Sequence, residues 1–209
     1  MTGTSGPEPA LRADAARNRA RVLRAAREQV AAGAEALQLN AVARLAGVGV
    51  GTVYRHFPTP HALWEALSAE RFQELVDEAR AAADDEDALA GLHRLLRFTL
   101  ARALEDTGFA AVLASAGDAE ARTSELKNEL DASVARLLDR ARRTGAVRRD
   151  VEADDVRRLL CGIEHAVRSG GGGSGSGGGS GVGGGGGSGG PARAELYLGV
   201  LLEGLRPPR

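Results

Sequence analysis

Cysteine is nearly absent from this sequence, aromatic residues make up only 3%, and long apolar runs are missing. The single cysteine, Cys161, excludes an internal disulfide framework and is typical of a reducing compartment. Residues 1–17 contain no apolar core, and the longest apolar run, LYLGVLL, is far too short to cross a bilayer. We therefore expect a cytoplasmic protein that has neither a signal peptide nor a membrane partner.

The patterns that support catalysis or metal binding are also missing. The four histidines, at positions 56, 61, 93 and 165, lack the spacing of metal ligands. No nucleophile and base can be paired, and the glycine-rich GVGVG at 47–51 has no preceding strand that would make it a phosphate-binding loop. Cys161 lies among leucines and an isoleucine, where a thiol is usually inert. We expect no enzyme, no cofactor and no metal site.

Charge is unevenly distributed along the chain, although the net charge is only −1. Residues 1–60 contain eight arginines against four acidic residues, which gives this segment a charge of +4. The rest of the chain is therefore acidic overall. A basic segment joined to an acidic body favours a polyanionic partner that binds at one end only.

Apolar residues recur at intervals of three or four through almost the whole chain, as they do in amphipathic helices. No segment shows the alternation of a half-buried strand, so we predict an all-α fold. Gly33 is a suitable C-cap for the first helix, and Thr59 followed by Pro60 is a suitable start for a later one. Residues 170–190 contain sixteen glycines, four serines and one valine, which predicts a flexible connector with a span of about 25 Å.

The segment AGVGVGTVYRHF at 46–57 places three glycines just before an aromatic and basic cluster. Gly47 permits a sharp turn between two short helices, while Val53 and Phe57 lie four residues apart on an inner face. The remaining positions carry glycine, threonine, arginine and histidine, which pack poorly but suit contact with phosphates and base edges. This pattern indicates a helical pair that binds a polyanion.

With its flanks, the segment LNAVARLAGVGVGTVYRHFPTPHALWEAL at 39–67 resembles the helix-turn-helix of the TetR family of bacterial transcriptional regulators. The residues that carry the match are Ala43, Ala46, Gly47, Val48, Gly51, Thr52, Tyr54, His56, Phe57 and Leu63. The resemblance covers about residues 17–67, and only the helical pattern matches beyond them. Where members of the family often have Ser-Lys, this chain has Gly49 and Val50, and Pro60 replaces a frequent lysine or arginine.

We expect a disordered N-terminal arm at 1–11, and the resemblance implies a DNA-binding domain at 12–59 and an effector-binding and dimerisation domain at 60–209. The residues expected to contact DNA are Arg17, Gly49, Val50, Gly51, Thr52, Tyr54, Arg55 and His56. The family's last two helices pair with those of a second subunit, and the corresponding positions here are Val156, Leu159, Ile163, Val167, Leu196, Val200 and Leu201.

For the effector we expect a mostly apolar pocket of a few hundred Å³ in the C-terminal domain. The candidate residues for this pocket are His93, Arg97, Phe98, Phe109 and His165. The resemblance then implies a homodimeric repressor that binds a two-fold-symmetric DNA operator and is released by a small molecule. The alternative is a helical protein-interaction module whose basic end binds acidic partners.

Overall fold

The computed structural model of the chain describes residues 8–34, 36–170 and 189–208. These residues form helices and no strand, which confirms the predicted all-α class. The helices are α1 (Glu8–Ala31), α2 (Leu39–Ala46), α3 (Val50–His56), α4 (Pro60–Ala83), α5 (Ala88–Glu105), α6 (Thr107–Ala114), α7 (Ala121–Arg143), α8 (Ala153–Gly170) and α9 (Gly189–Gly204).

Two of the predicted segments fall largely outside the described residues. Of the N-terminal arm expected at 1–11, residues 1–7 are not described, and residues 8–11 already belong to α1. Of the glycine-serine connector expected at 170–190, residues 171–188 are not described. Its two ends are the last residue of α8 and the first residues of α9, so the connector joins these two helices.

The described residues form two compact units, and the boundary between them lies inside α4. The first unit runs to Ala69 and also includes Gly117–Thr123, whereas the second comprises Glu70–Ala116 and the chain from Ser124 onward. The sequence placed the domain boundary at 59, before α4 begins. The first unit extends further because Ala62 and Leu63, in the first turn of α4, are fully buried in its core.

The first unit is built from α1, α2, α3 and the start of α4. Its core consists of Val22, Ala25, Ala26, Leu37, Leu39, Val42, Ala43, Val53, Phe57, Ala62 and Leu63. Gly33 has a φ of +88°, which confirms its predicted place in the turn after α1, since side chains rarely adopt that backbone conformation. Thr59 Oγ1 accepts a hydrogen bond from the Ala62 N–H at 3.1 Å, so the predicted cap of α4 is confirmed.

In the second unit, aspartate side chains cap the N-termini of α5 and α6, and two aromatic rings pack against each other in the core. Asp87 accepts hydrogen bonds from the N–H groups of Leu89 (2.9 Å) and Ala90 (3.1 Å), and Asp106 accepts one from the Phe109 N–H at 3.0 Å. Because an N-cap satisfies amides that have no partner inside the helix, these acids fix where α5 and α6 begin. The rings of Phe72 and Phe109 then pack with their centroids 4.9 Å apart.

Helices α8 and α9 pack against each other and against α5. Leu198 of α9 and Leu205, directly after this helix, are buried, and the Leu205 carbonyl accepts a hydrogen bond from the Arg148 N–H at 2.8 Å. The large aliphatic residues of α9 are Leu196, Leu198, Val200, Leu201 and Leu202, and they point in nearly all directions around the helix. The single chain covers only one of these sides, because Leu196 and Val200 remain exposed.

Candidate nucleic-acid interface and effector site

The turn between α2 and α3 depends on one glycine. Gly47 has a φ of +63° and ψ of +37°, the left-handed conformation in which a side chain is strained. Its N–H donates to the Arg44 carbonyl at 3.2 Å, and the next N–H, of Val48, donates to the Ala43 carbonyl at 3.1 Å. These bonds close α2 and redirect the chain into α3.

Helix α3 is anchored to the first unit on one side only. Val53 and Phe57 are fully buried, and the Arg19 guanidinium of α1 lies over the Phe57 ring at 5.2 Å from its centroid. This role of Arg19 is not predictable from the sequence, because in an arginine-rich helix nothing local distinguishes one arginine from the next. The anchors determine which side of α3 faces the solvent.

The α3 residues expected to contact DNA lie on or beside that free side. Gly51 and Arg55 are exposed, as are the large side chains of Val50 and Tyr54, at 43% and 46% of their surface. Gly49, just before the helix, is exposed as well, while Thr52 and His56 are half-buried. The structure therefore gathers these seven residues around one exposed surface, which we call the α3 surface.

Arg17 lies on α1 and is exposed, but its guanidinium already has a partner. It pairs with Asp14, one turn earlier on the same helix, and Arg21 similarly donates to Asn18 at 2.6 Å. Ion pairs between exposed side chains contribute little free energy and exchange readily for another anion. Arg17 can therefore leave Asp14 for a phosphate at small cost.

The five residues expected to line an effector pocket do not come together. His93, Arg97 and Phe98 lie along a surface groove of α5, where Arg97 pairs with Glu195 at 2.9 Å. Phe109 is fully buried in the core. His165 is exposed on α8, with its Nε2 at 3.3 Å from Ser169 Oγ. Spacing along a helix does not reveal which faces of different helices meet, and this explains why these residues are scattered.

The second unit instead contains a small cavity between α5, α6, α7 and α8. Its volume is about 40 Å³, little more than the space that one water molecule occupies in the liquid. The lining is apolar apart from Thr99, Asp131 and Arg157, and its residues are Leu92, Leu95, Leu96, Thr99, Leu113, Leu130, Asp131, Val134, Ala153, Val156, Arg157 and Leu160.

Asp131 and Arg157 are the charged side chains of this cavity. Arg157 donates to the Leu113 carbonyl at 3.3 Å and pairs with Asp154, so its charge is already compensated. Burial raises the pKa of Asp131 above the ordinary carboxyl value, despite the opposing attraction of Arg157. Asp131 is exposed on α7, so it is an acceptor of the lining that a hydrogen-bond donor on a ligand can reach.

The residues expected at a subunit interface divide into two groups. Val156, Val167 and Leu201 are buried within the single chain. Ile163 is half-buried, while Leu159, Leu196 and Val200 are exposed over 48%, 61% and 65% of their surface. An apolar groove runs between α8 and α9, and its lining includes Leu159, Ile163 and Val200 but not Leu196. The lining residues are Arg158, Leu159, Gly162, Ile163, Ala166, Tyr197, Val200 and Leu201.

Other kinds of site are not visible in the part of the chain that the structure describes. There, no cluster of three histidine, cysteine or acidic residues is arranged to hold a metal ion. No helix in the same residues has the length and apolar character to span a membrane. Cys161 is half-buried, and burial raises the pKa of its thiol, which lowers its reactivity as a thiolate.

Comparison with known proteins agrees with this architecture. Residues 22–67 match the model of the bacterial regulatory proteins of the tetR family, and residues 87–175 match the C-terminal domain of SbtR-like transcriptional regulators. No curated protein matches the chain. Among solved structures, a TetR transcription regulatory protein from Mycobacterium vanbaalenii is 33% identical over 94% of this chain and 99% of its own, with a TM-score of 0.46.

Two further structures show the range of the similarity. A TetR transcriptional regulator from Streptomyces coelicolor is 28% identical over 91% of this chain and 99% of its own, with a TM-score of 0.52. RolR, solved in complex with resorcinol, is 16% identical over 93% of this chain and 90% of its own, with a TM-score of 0.62. The two family models cover the helix-turn-helix and most of the second unit, and the first relative is similar in sequence along nearly its full length. The chain belongs to the TetR family of bacterial transcriptional regulators.

Proposed function

We propose that the protein is a ligand-responsive repressor that binds a two-fold-symmetric operator as a homodimer and is released by a small-molecule effector. The observation that carries this proposal is the arrangement of α3. Val53 and Phe57 fix one side of the helix in the core, and the α3 surface is left open to solvent. A short helix held in this way can enter the major groove of DNA, where Arg55 is suited to a guanine and Thr52 to a thymine methyl.

Dimerisation is supported by the apolar groove of α8 and α9. Leu196 and Val200 are large apolar side chains that the single chain leaves more than half exposed. A second copy of the same two helices would cover them and form a bundle shared by two subunits. Two-fold symmetry of the protein would then require two half-sites in the operator.

The cavity of the second unit is the proposed effector site. Its lining favours a small and mostly apolar molecule that carries one hydrogen-bond donor for Asp131. Because the cavity measures about 40 Å³, such a molecule fits only if α5, α6, α7 and α8 move apart. Binding therefore favours a widened state, and the effector acts through its higher affinity for that state.

Selection of bound sequences from a pool of random DNA duplexes tests the operator. We expect one enriched motif with two-fold symmetry. The matched control is a variant with Tyr54→Ala and Arg55→Ala, which changes exposed side chains only and is expected to fold but to enrich nothing. If the wild-type chain enriches no duplex, operator binding is wrong, and capture of acidic proteins through the basic end would favour the interaction module.

Thermal unfolding with a set of small aromatic alcohols and amines tests the effector site. A compound that raises the melting temperature of the wild type should fail to do so in Ala153→Leu, which fills part of the cavity. Ala135→Leu, on an exposed face of α7, is the control and should leave the response unchanged. A compound that releases operator DNA equally from the wild type and Ala153→Leu would place the effector site elsewhere.

A further inference from the structure

A buried carboxylate in α4 holds a distant segment of the chain. Glu65 is 1% exposed, and its two oxygens accept one backbone hydrogen bond each. Oε1 accepts from the Ala119 N–H at 2.7 Å, and Oε2 accepts from the Glu120 N–H at 2.8 Å. These contacts explain why Gly117–Thr123 belongs to the first unit, although the chain on both sides of it belongs to the second. We call this pair of hydrogen bonds the Glu65 latch.

The latch pairs two backbone N–H groups that have no partner in a helix with a buried carboxylate that requires hydrogen-bond donors. Ala119 and Glu120 immediately precede α7, where amides have no partner inside the helix and a negative charge is favoured. A buried carboxylate, in turn, is costly unless donors surround it. His61 Nε2, one turn earlier on α4, lies 2.9 Å from Glu65 Oε1 and adds a third close group, without hydrogen-bond alignment. The latch is therefore a strong local contact between α4 and the start of α7.

The chain leads from the latch to the cavity walls in both directions. Before the latch, α6 contributes Leu113 to the cavity, and after it, α7 contributes Leu130, Asp131 and Val134. A cavity of about 40 Å³ admits an effector only if walls such as these move. The residues next to the latch are thus continuous with the parts of α6 and α7 that effector binding would displace.

We propose that the Glu65 latch is the positioning contact through which the effector cavity and the α3 surface influence each other. The inference rests on the proposed function and adds the residue that carries the coupling. Glu65 lies in the first two turns of α4, the helix that follows α3. Ala62 and Leu63, in the same turns, pack into the core together with Val53 of α3. Because the two hydrogen bonds of the latch link them, a displacement of the Gly117–Thr123 segment displaces this part of α4, and a displacement of α4 displaces the segment.

Hydrogen exchange with operator duplex as the probe tests the latch without a known effector. Coupling is reciprocal, so if effector binding changes DNA affinity, DNA binding must change the affinity of the cavity for the effector. Because the effector fits only when the walls move, we expect this change to be visible in the local stability of those walls. The operator is the duplex enriched from the random pool. In the wild type, we expect saturating operator to slow amide exchange in α3 and, at least about fivefold, in the α6 and α7 segments that line the cavity.

Two variants weaken the latch from opposite sides. Glu65→Gln keeps the size of the side chain but loses the charge and one acceptor oxygen. Ala119→Pro removes one donor N–H at an exposed position and leaves the buried side chain in place. The matched control is Ala121→Pro, two residues later, at the first position of α7, where proline is well tolerated.

The outcomes separate the latch from the proposed function. We expect both latch variants to keep the operator-induced protection of α3 and to lose the response of the cavity walls, while Ala121→Pro keeps both. If the walls respond equally in the wild type and in Ala119→Pro, or fail to respond in the wild type, the latch proposal is wrong even though operator binding stands. If no duplex protects α3 in the wild type, the proposed function itself fails.

Discussion

At the scale of single residues, very few side chains of α3 can form charged or hydrogen-bonded contacts with DNA. Arg55 is the one long cationic side chain of the helix, and its first residue, Val50, is apolar. Tyr54 and Thr52 add a hydroxyl each. Sequence-specific binding by this chain should therefore depend on Arg55 to an unusual degree.

We predict that Arg55→Ala weakens binding to the selected operator by about 1–3 kcal/mol and relaxes the preference at one base pair in each half-site. The reason is the loss of a bidentate contact with guanine. Affinities for the operator and for a random duplex, at two salt concentrations, are the measurement, and Arg143→Ala in α7 is a control with the same change in charge. Equal losses on both duplexes would assign Arg55 to the phosphate backbone.

Asp131 offers a second prediction at this scale. Its folded-state pKa is raised by burial, so the ionised carboxylate costs stability once the pH exceeds the unfolded value near 3.8. Because Asp131 is exposed and water screens its charge, Asp131→Asn should raise the melting temperature at pH 7 by only about 1 °C. This advantage should shrink as the pH falls and vanish below the unfolded value, where the acid is neutral in both states. Melting curves across pH 3–7 would refute the assignment if the advantage grew toward acid.

At the scale of elements, arginines from distant helices satisfy the carbonyl groups at helix C-termini. Arg140 donates to the Ala83 carbonyl at the end of α4, Arg168 to the Leu104 carbonyl of α5 at 3.1 Å, and Arg157 to the Leu113 carbonyl of α6 at 3.3 Å. The last carbonyls of a helix lack partners and carry the negative end of its dipole. At three helix ends of the second unit, arginine side chains from distant helices thus add to the hydrogen bonds of the local turns.

The same unit contains a helix contact that only glycine permits. A Cβ at Gly91 of α5 would lie 2.6 Å from the Ala82 carbonyl oxygen of α4, closer than atoms can pack. Gly91→Ala should therefore destabilise the fold by about 1–3 kcal/mol, which lowers the melting temperature by about 2–4 °C for each kcal/mol.

The matched control for this prediction is Gly51→Ala in α3, measured without DNA, because a Cβ at that position meets nothing within 4 Å. This change should stabilise the helix by about 0.5–1 kcal/mol, as alanine normally does relative to glycine. Thermal unfolding of the two variants under the same conditions is the measurement. A Gly91→Ala variant as stable as Gly51→Ala would show that α4 and α5 do not pack as closely as described.

At the scale of the whole molecule, the large apolar side chains that remain exposed fall into two groups within the described residues. Leu45, Val50 and Tyr54 lie on α2 and α3, while Leu159, Leu196 and Val200 lie on α8 and α9. Exposed apolar groups that cluster in this way mark surfaces that bind something else. The first group belongs to the proposed DNA interface and the second to the proposed subunit interface.

We predict that the wild-type chain sediments as a dimer at micromolar concentration and that Val200→Glu sediments as a monomer. Val200 is exposed in the single chain, so the glutamate should not disturb the fold of the subunit, whereas in an interface it would be a buried and unpaired charge. Ala135→Glu, on an exposed face of α7, introduces the same charge and should leave the dimer intact. A wild-type monomer would contradict the prediction outright.

The sequence alone determined the all-α class, the helix-turn-helix and the family, because these depend on local rules. The period of apolar residues, the left-handed turn at Gly47 and the cap at Thr59 each involve neighbours in the chain, and the physical forces behind them act within one or two helical turns. Helix positions and the burial of Val53 and Phe57 could therefore be predicted before any tertiary contact was known.

Only the tertiary structure decided which distant residues meet. His93, Arg97, Phe98, Phe109 and His165 had suitable chemistry for a pocket, yet the cavity formed elsewhere, around Asp131 and Arg157. In the sequence, Glu65 is one of several polar residues of α4, and nothing marks it out. In the structure, its hydrogen bonds to Ala119 and Glu120 join residues more than fifty positions apart. Such contacts depend on how whole helices rotate and cross to bury their apolar faces, and no local pattern encodes that choice.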